Sequence, residues 1–182
     1  ISGDWISGFN FSPNRQVRIR IYASEGGDLL SDVMVGTSGN TQLWVDYWQH
    51  GVDLLAGMYI LAEDLETGKY SDLTLISLTF DGVNYDTETA WGTADEGTQV
   101  TVQANHLFDS HQMTVTANES DQWSADFTTL GADLPPDWDL QAMVFDSELD
   151  ATVANAPEPP AFTASLSGDW INGSYWTPDD TV

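Results

Sequence analysis

Acidic residues gather where this sequence turns, and paired acids at turns are the raw material of a cation site. Asp146, Glu148 and Asp150 alternate over five positions, and Asp64 and Glu66 show the same two-residue step earlier in the chain. Calcium takes about six to eight oxygen ligands, mostly from Asp and Glu carboxylates and backbone carbonyls. These five residues are the expected Ca²⁺ ligands. Asp81 and Asp86 lie further along and add charge. The Asp-x-Asp-x-Asp-Gly loop is missing, which excludes an EF-hand.

Aromatic residues offer a second chemistry. Of eight tryptophans, Trp5 and Trp170 sit in a repeated phrase, and Trp44 and Trp123 fall in similar strands. Repeated placement predicts that these four plug a core. Trp48 and Trp91 stand outside that pattern. With Tyr47 they are the candidate platforms for stacking on sugar faces, since an exposed indole presents a flat apolar surface with a polar edge. His50, His106 and His111 have no zinc-motif spacing and are expected in loops or on the surface. Cysteine is absent, so thiol catalysis and disulfides are excluded. No nucleophile elbow, phosphate loop or dinucleotide fingerprint occurs. Acids are too numerous for a glycosidase pair to be singled out. Enzymatic function is therefore not expected. Asn10, Asn118 and Asn172 begin Asn-x-Ser sequons, which matter only where secreted proteins are glycosylated.

Charge narrows the partners. The chain has 29 acidic residues against four basic ones, a formal net charge of −25. Nothing after Lys69 is Lys or Arg. Nucleic acid and anionic membranes would be repelled. Multivalent cations, basic surfaces and high salt are favoured. No apolar run is long enough for a membrane-spanning helix. Arg18 and Arg20 share one strand face, where they either pair with neighbouring acids or form a small basic stripe for another copy.

The elements that must carry these residues read as strands. Val17, Ile19 and Ile21 alternate with Arg18, Arg20 and Tyr22, a period of two. Further strands are expected over 42–47, 57–62, 71–75, 98–104, 111–117, 123–127, 138–146 and 150–154. Tight turns fall at 64–68 and 118–122. Between Leu73 and Phe80 there is no Gly or Pro, which predicts one strand running through the joint. Ala156-Pro-Glu-Pro-Pro160 predicts a semi-rigid spacer.

The plan is written more than once. Ser2-Gly-Asp-Trp-Ile-Ser-Gly8 returns as Ser167-Gly-Asp-Trp-Ile-Asn-Gly173, and Trp91-Gly92 opens a weaker copy. The glycines at 8, 92 and 173 give steps of 84 and 81 residues. That period is too long for a solenoid coil and suits a small all-β domain. The expected organisation is a β-sandwich at 1–78, a second at 79–156, and at 157–182 a Pro-rich linker with the first strand of a third repeat.

The phrases Gly92-Thr-Ala-Asp-Glu-Gly97, Gln99-Val-Thr-Val102, Trp123-Ser-Ala-Asp-Phe127 and Leu140-Gln-Ala-Met-Val-Phe-Asp146 resemble the bacterial immunoglobulin-like repeats of large secreted adhesins and surface proteins. Phe11-Ser-Pro-Asn14 replaces the Ala-Asp-Glu-Gly turn in the first copy. The resemblance implies tandem immunoglobulin-like antiparallel β-sandwiches, extracellular or at the cell surface, that space, display or adhere without catalysis. The expected partners are further copies of the same repeat, with glycans in second place. The tail holds Phe162, Leu166, Trp170, Ile171, Tyr175 and Trp176, a large apolar load for one strand. Head-to-tail assembly by strand addition would cover it. The alternative is a carbohydrate-binding accessory module of a secreted enzyme.

Overall fold

A computed structural model describes residues 4–39, 41–107, 109–158, 161–165 and 170–174; Trp48 and the last two stretches are described by backbone alone. The protein is all-β. Strands make up 51% of it, and helix among the described residues is confined to two 3-10 turns of four residues. It divides into two compact units, Ile1–Leu78 with Met143–Val153 and Thr79–Ala142 with Ala154–Val182.

The first repeat has six strands: β1 (Trp5–Gly8), β2 (Gln16–Tyr22), β3 (Leu29–Gly36), β4 (Leu43–Asp46), β5 (Tyr59–Asp64) and β6 (Tyr70–Thr74). β1 and β4 form one antiparallel sheet, and β3-β2-β5-β6 the other. The period of two in β2 does what it predicts. Val17, Ile19 and Ile21 are fully buried and meet Leu43, Val45, Tyr47 and Ile60 in one core. Each such side chain contributes about 1.5–3 kcal/mol by leaving water. The outward Arg18 and Arg20 reach diagonally to Asp32 on β3 (2.5 Å) and Glu63 on β5 (2.8 Å). Arg15 pairs with Glu66. The basic stripe is thus neutralised inside its own sheet.

The second repeat has seven strands: β7 (Gly82–Asn84), β8 (Thr89–Thr93), β9 (Gln99–His106), β10 (Asp109–Thr116), β11 (Gln122–Asp126), β12 (Asp139–Phe145) and β13 (Ala151–Asn155). Their sheet orders are β11-β8-β7 and β10-β9-β12-β13. Apart from the extra edge strand β7, this is the order of the first repeat. The register repeats as well: Gly8 lies opposite Leu43, and Gly92 opposite Trp123.

That register corrects one sequence expectation. The partner of Trp123 across the repeats is Leu43, one residue before Trp44. A one-residue offset in a strand reverses the face. Trp123 is therefore buried at 1% exposure, whereas Trp44 points out at 56%. Trp44 is not a core plug. The repeat glycines have a steric reason. A Cβ at Gly92 would stand 2.1 Å from the Thr79 carbonyl oxygen and 2.7 Å from the Trp123 ring; one at Gly8 would stand 2.6 Å from Phe11.

Two further expectations change. The strand expected through Leu73–Phe80 ends at Thr74; its pairing closes at Leu75, which donates its N–H to the Met58 carbonyl and accepts the Gly57 N–H, and the chain turns away at Gly57 (φ 85°). The tail, expected to hold one strand, forms an antiparallel hairpin of β14 (Ala161–Ser165) and β15 (Trp170–Ser174). Phe162, Trp170 and Ile171 lie on it by backbone; Leu166, Tyr175 and Trp176 lie outside the described residues.

Candidate functional site

The five expected calcium ligands occupy the same turn in each repeat, at the end of β5 and of β12. Backbone amides at a turn need acceptors, and the carboxylates of Asp64 and Asp146 supply them. Asp64 Oδ1 accepts the N–H groups of Glu66 (3.0 Å) and Thr67 (3.2 Å), and Oδ2 accepts that of Ser12 (3.2 Å). Asp146 Oδ1 accepts from Glu148 (2.8 Å) and Asp150 (3.0 Å). Asp64 is 2% exposed. Its carboxyl is held well below the usual carboxylate range, first by the Ser12 side chain and then by the turn amides, against the cost of desolvation. Glu66 faces Arg15 instead of Asp64. Among the described residues no three His, Asp or Glu side chains gather with the geometry to hold a metal ion. Asp64 and Asp146 close the backbone of their turns.

A second pair of acids escaped the sequence reading. The Asp4 carboxylate accepts the Leu54 N–H (2.8 Å), and its backbone carbonyl accepts that of Tyr47 (2.7 Å). In the second repeat Glu88 does both jobs, for Leu134 (2.6 Å) and Phe127 (2.9 Å). Each acid staples the loop after the 3-10 turn to the strand that follows it. The signal was present in the Ser-Gly-Asp-Trp phrase, but Glu88 hides it by substituting one acid for the other.

The three stacking candidates separate. Tyr47 is fully buried, so it is no platform. It opens the first 3-10 turn as Phe127 opens the second, and the two rings fill equivalent core positions. The Tyr47 hydroxyl is enclosed without a hydrogen bond of good geometry, and burial, aided by the charge of Asp32, pushes it up to about 12. The Trp48 side chain lies outside the described residues. Trp91 is 40% exposed on the outer face of β8. In the first repeat the outward indole is Trp44, stacked on Trp5 at 4.7 Å and 13°, with its Nε1–H donated to Asp46 (2.8 Å).

His50 is exposed in the first 3-10 turn, whereas the other two histidines lie in strands. His106 and His111 stand at the ends of β9 and β10, half-buried, and both rings stack parallel to Trp138 at 5.8 and 5.4 Å. Asp137 and Asp109 approach their Nε2 atoms at 3.3 and 3.7 Å. Two clefts flank the short sheets. One, of about 200 Å³, lies between Phe9, Phe11 and Tyr70 beside the spent carboxylate of Asp64. The other, of about 270 Å³, lies at Trp91.

No family model matches the chain, and no curated protein matches it. Solved structures are similar to it. One is a tetra-tandem repeat in the extending region of a large adhesion protein, at 18% identity and a TM-score of 0.32, covering 93% of this chain and 50% of that one. Another is a Ca²⁺-stabilized adhesin that helps an Antarctic bacterium reach out and bind ice, at 17% identity and a TM-score of 0.30, covering 91% and 48%. A third is a 1.5-MDa bacterial ice-binding adhesin, at 14% identity and a TM-score of 0.30, covering 92% and 63%. The chain spans about half the length of the first two.

Proposed function

We propose that this chain is a non-catalytic structural and adhesive repeat segment of an extracellular or cell-surface protein. One observation carries the reading: the same strand order is built twice, in the same register, with acids at matching positions spent on backbone amides. Asp4 matches Glu88, and Asp64 matches Asp146. Carboxylates committed to turns maintain a shape. They are not pooled in a cleft where one could act as acid and another as base. The remaining acids on the surface keep such a segment soluble.

Self-association belongs to the same proposal. A two-stranded hairpin is marginal by itself, and β14–β15 carries the strongest apolar sequence of the tail. Adding to a sheet edge of a neighbouring copy would complete it. Calcium enters as a surface counter-ion of the turns. The test is sedimentation of the intact chain beside one lacking residues 161–182. The intact chain should self-associate as concentration rises, and the shortened one should stay monomeric with both sandwiches folded. Identical sedimentation would remove the assembly part. Turnover of a polysaccharide by the intact chain would overturn the non-catalytic part.

A further inference from the structure

The cleft of about 270 Å³ at β11-β8-β7 is lined by one exposed aromatic side chain, by polar residues, and by Gly92 and the buried Trp123. Trp91 is the exposed ring. Its cross-strand partner on β7 is Gly82, and a Cβ there would meet three carbons of the six-membered indole ring at 2.6–3.1 Å. The ring thus lies over bare backbone, which supports one face and leaves the other toward solvent. Its partner on β11 is Ser124, too small to cover it. In the first repeat the register places Ser7 where the second has Trp91, and the outward indole, Trp44, stands on the neighbouring strand, capped by Trp5 and committed to Asp46. Among the described residues, only the second repeat has an indole at this position.

The polar groups are arranged for hydroxyls. Asp81 is exposed, and its bond to β8 is made by the backbone N–H (2.9 Å, to the Trp91 carbonyl). Asn118 spends its Oδ1 on the amides of Ser120 (2.9 Å) and Gln122 (3.2 Å), which leaves its NH₂ group outside the turn. Gln122 and Ser124 complete the lining. A flat apolar face ringed by a carboxylate, two amides and a hydroxyl matches a sugar ring, which has one C–H face and a rim of hydroxyls.

We propose that this cleft binds a neutral pyranose of a glycan, stacked on Trp91 and hydrogen-bonded by Asp81, Asn118, Gln122 and Ser124. Charge selects the neutral class: no Lys or Arg follows Lys69, so uronic and sialic acids are repelled. A quaternary ammonium fits less well, because cation cages use several aromatic walls and this cleft has a single exposed one. The inference is independent of the spacer reading. A segment that fails as a spacer would still bind, and a true spacer could fail to bind.

The experiment is a glycan array of neutral and anionic saccharides probed with the intact chain. It is followed by titration with methyl glycosides of glucose, galactose, mannose and N-acetylglucosamine, read by indole N–H resonances. At least one neutral glycan should bind saturably, and the Trp91 resonance should move. Trp91→Ala should weaken binding roughly tenfold or more. Asp81→Ala, on an exposed side chain outside every turn, should weaken it too and covers the case in which Trp91→Ala misfolds. Trp44→Ala should bind as the parent does. Absence of any neutral glycan from the array, undiminished binding in folded Trp91→Ala or Asp81→Ala, or preference for tetramethylammonium over the sugars would overturn the proposal.

Discussion

Replacing Tyr47 by Phe tests how the two sandwiches differ at one equivalent core position. Tyr47 is fully buried with its hydroxyl poorly partnered, and Phe127 fills the same place without one. A phenol is neutral until it loses its proton. Burial disfavours the phenolate, so the folded value rises from 10.0 to about 12. Below pH 10 both states hold the proton, and the stability is fully present. Between the two values the unfolded chain ionises first and draws the equilibrium toward unfolding. By about pH 12 the shift costs about 3 kcal/mol, from about 1.4 kcal/mol per pH step. At neutral pH, Tyr47→Phe removes a buried hydroxyl with little to lose, and stability should stay within about 1 kcal/mol of the parent. Urea midpoints of both proteins at pH 7, 9, 11 and 12 decide the matter. The parent should lose stability relative to the variant across the alkaline range. Parallel curves would refute the argument, because the other tyrosines are common to both proteins.

Other perturbations follow from the same geometry. Gly92→Ala places a Cβ against the Thr79 carbonyl and Trp123, and should cost about 3 kcal/mol in urea unfolding; an unchanged midpoint would mean that β8 can shift freely. Asp64 has a depressed carboxyl, so its contribution is present above the ordinary carboxylate range and is lost as pH falls below that range toward the depressed folded value. Asp64→Asn should therefore flatten the acid side of the stability profile, read as urea midpoints against pH. With a net charge of −25, melting temperature should rise with added salt, and more with CaCl₂ than with NaCl at equal ionic strength if the turn acids collect the ion. No movement with either salt would sink the electrostatic argument, and equal movement would remove calcium.

Much of the fold was legible because its signals are local. Alternation in 17–22, turn residues at 64–68 and the repeated glycines each depend on a few neighbours. Even the missing glycine of the first repeat is explained, since Asn14 takes the left-handed conformation (φ 55°) that Gly97 takes in the second (φ 80°). β3 was not foreseen, because Leu29, Leu30 and Met34 are apolar yet exposed and blur its period. The face of Trp44 was misread for a different reason. Matching tryptophan to tryptophan ignored the one-residue offset that pairing with β1 imposes. The candidate site was less legible still. Two of the acids read as ligands by spacing, Asp64 and Asp146, accept backbone N–H groups, which spacing does not reveal. Trp91 was identified as an unconstrained aromatic, but the glycine beneath it and the serine beside it become neighbours only through sheet register.

The central claim is that the chain is a tandem of two sandwiches, each a mechanical unit. Single-molecule pulling between the ends of the intact chain tests it most directly. The account predicts two separate unfolding events, each lengthening the chain by about 250 Å, from roughly 70 residues at about 3.5 Å each. A single cooperative event that releases the whole chain at once would contradict it.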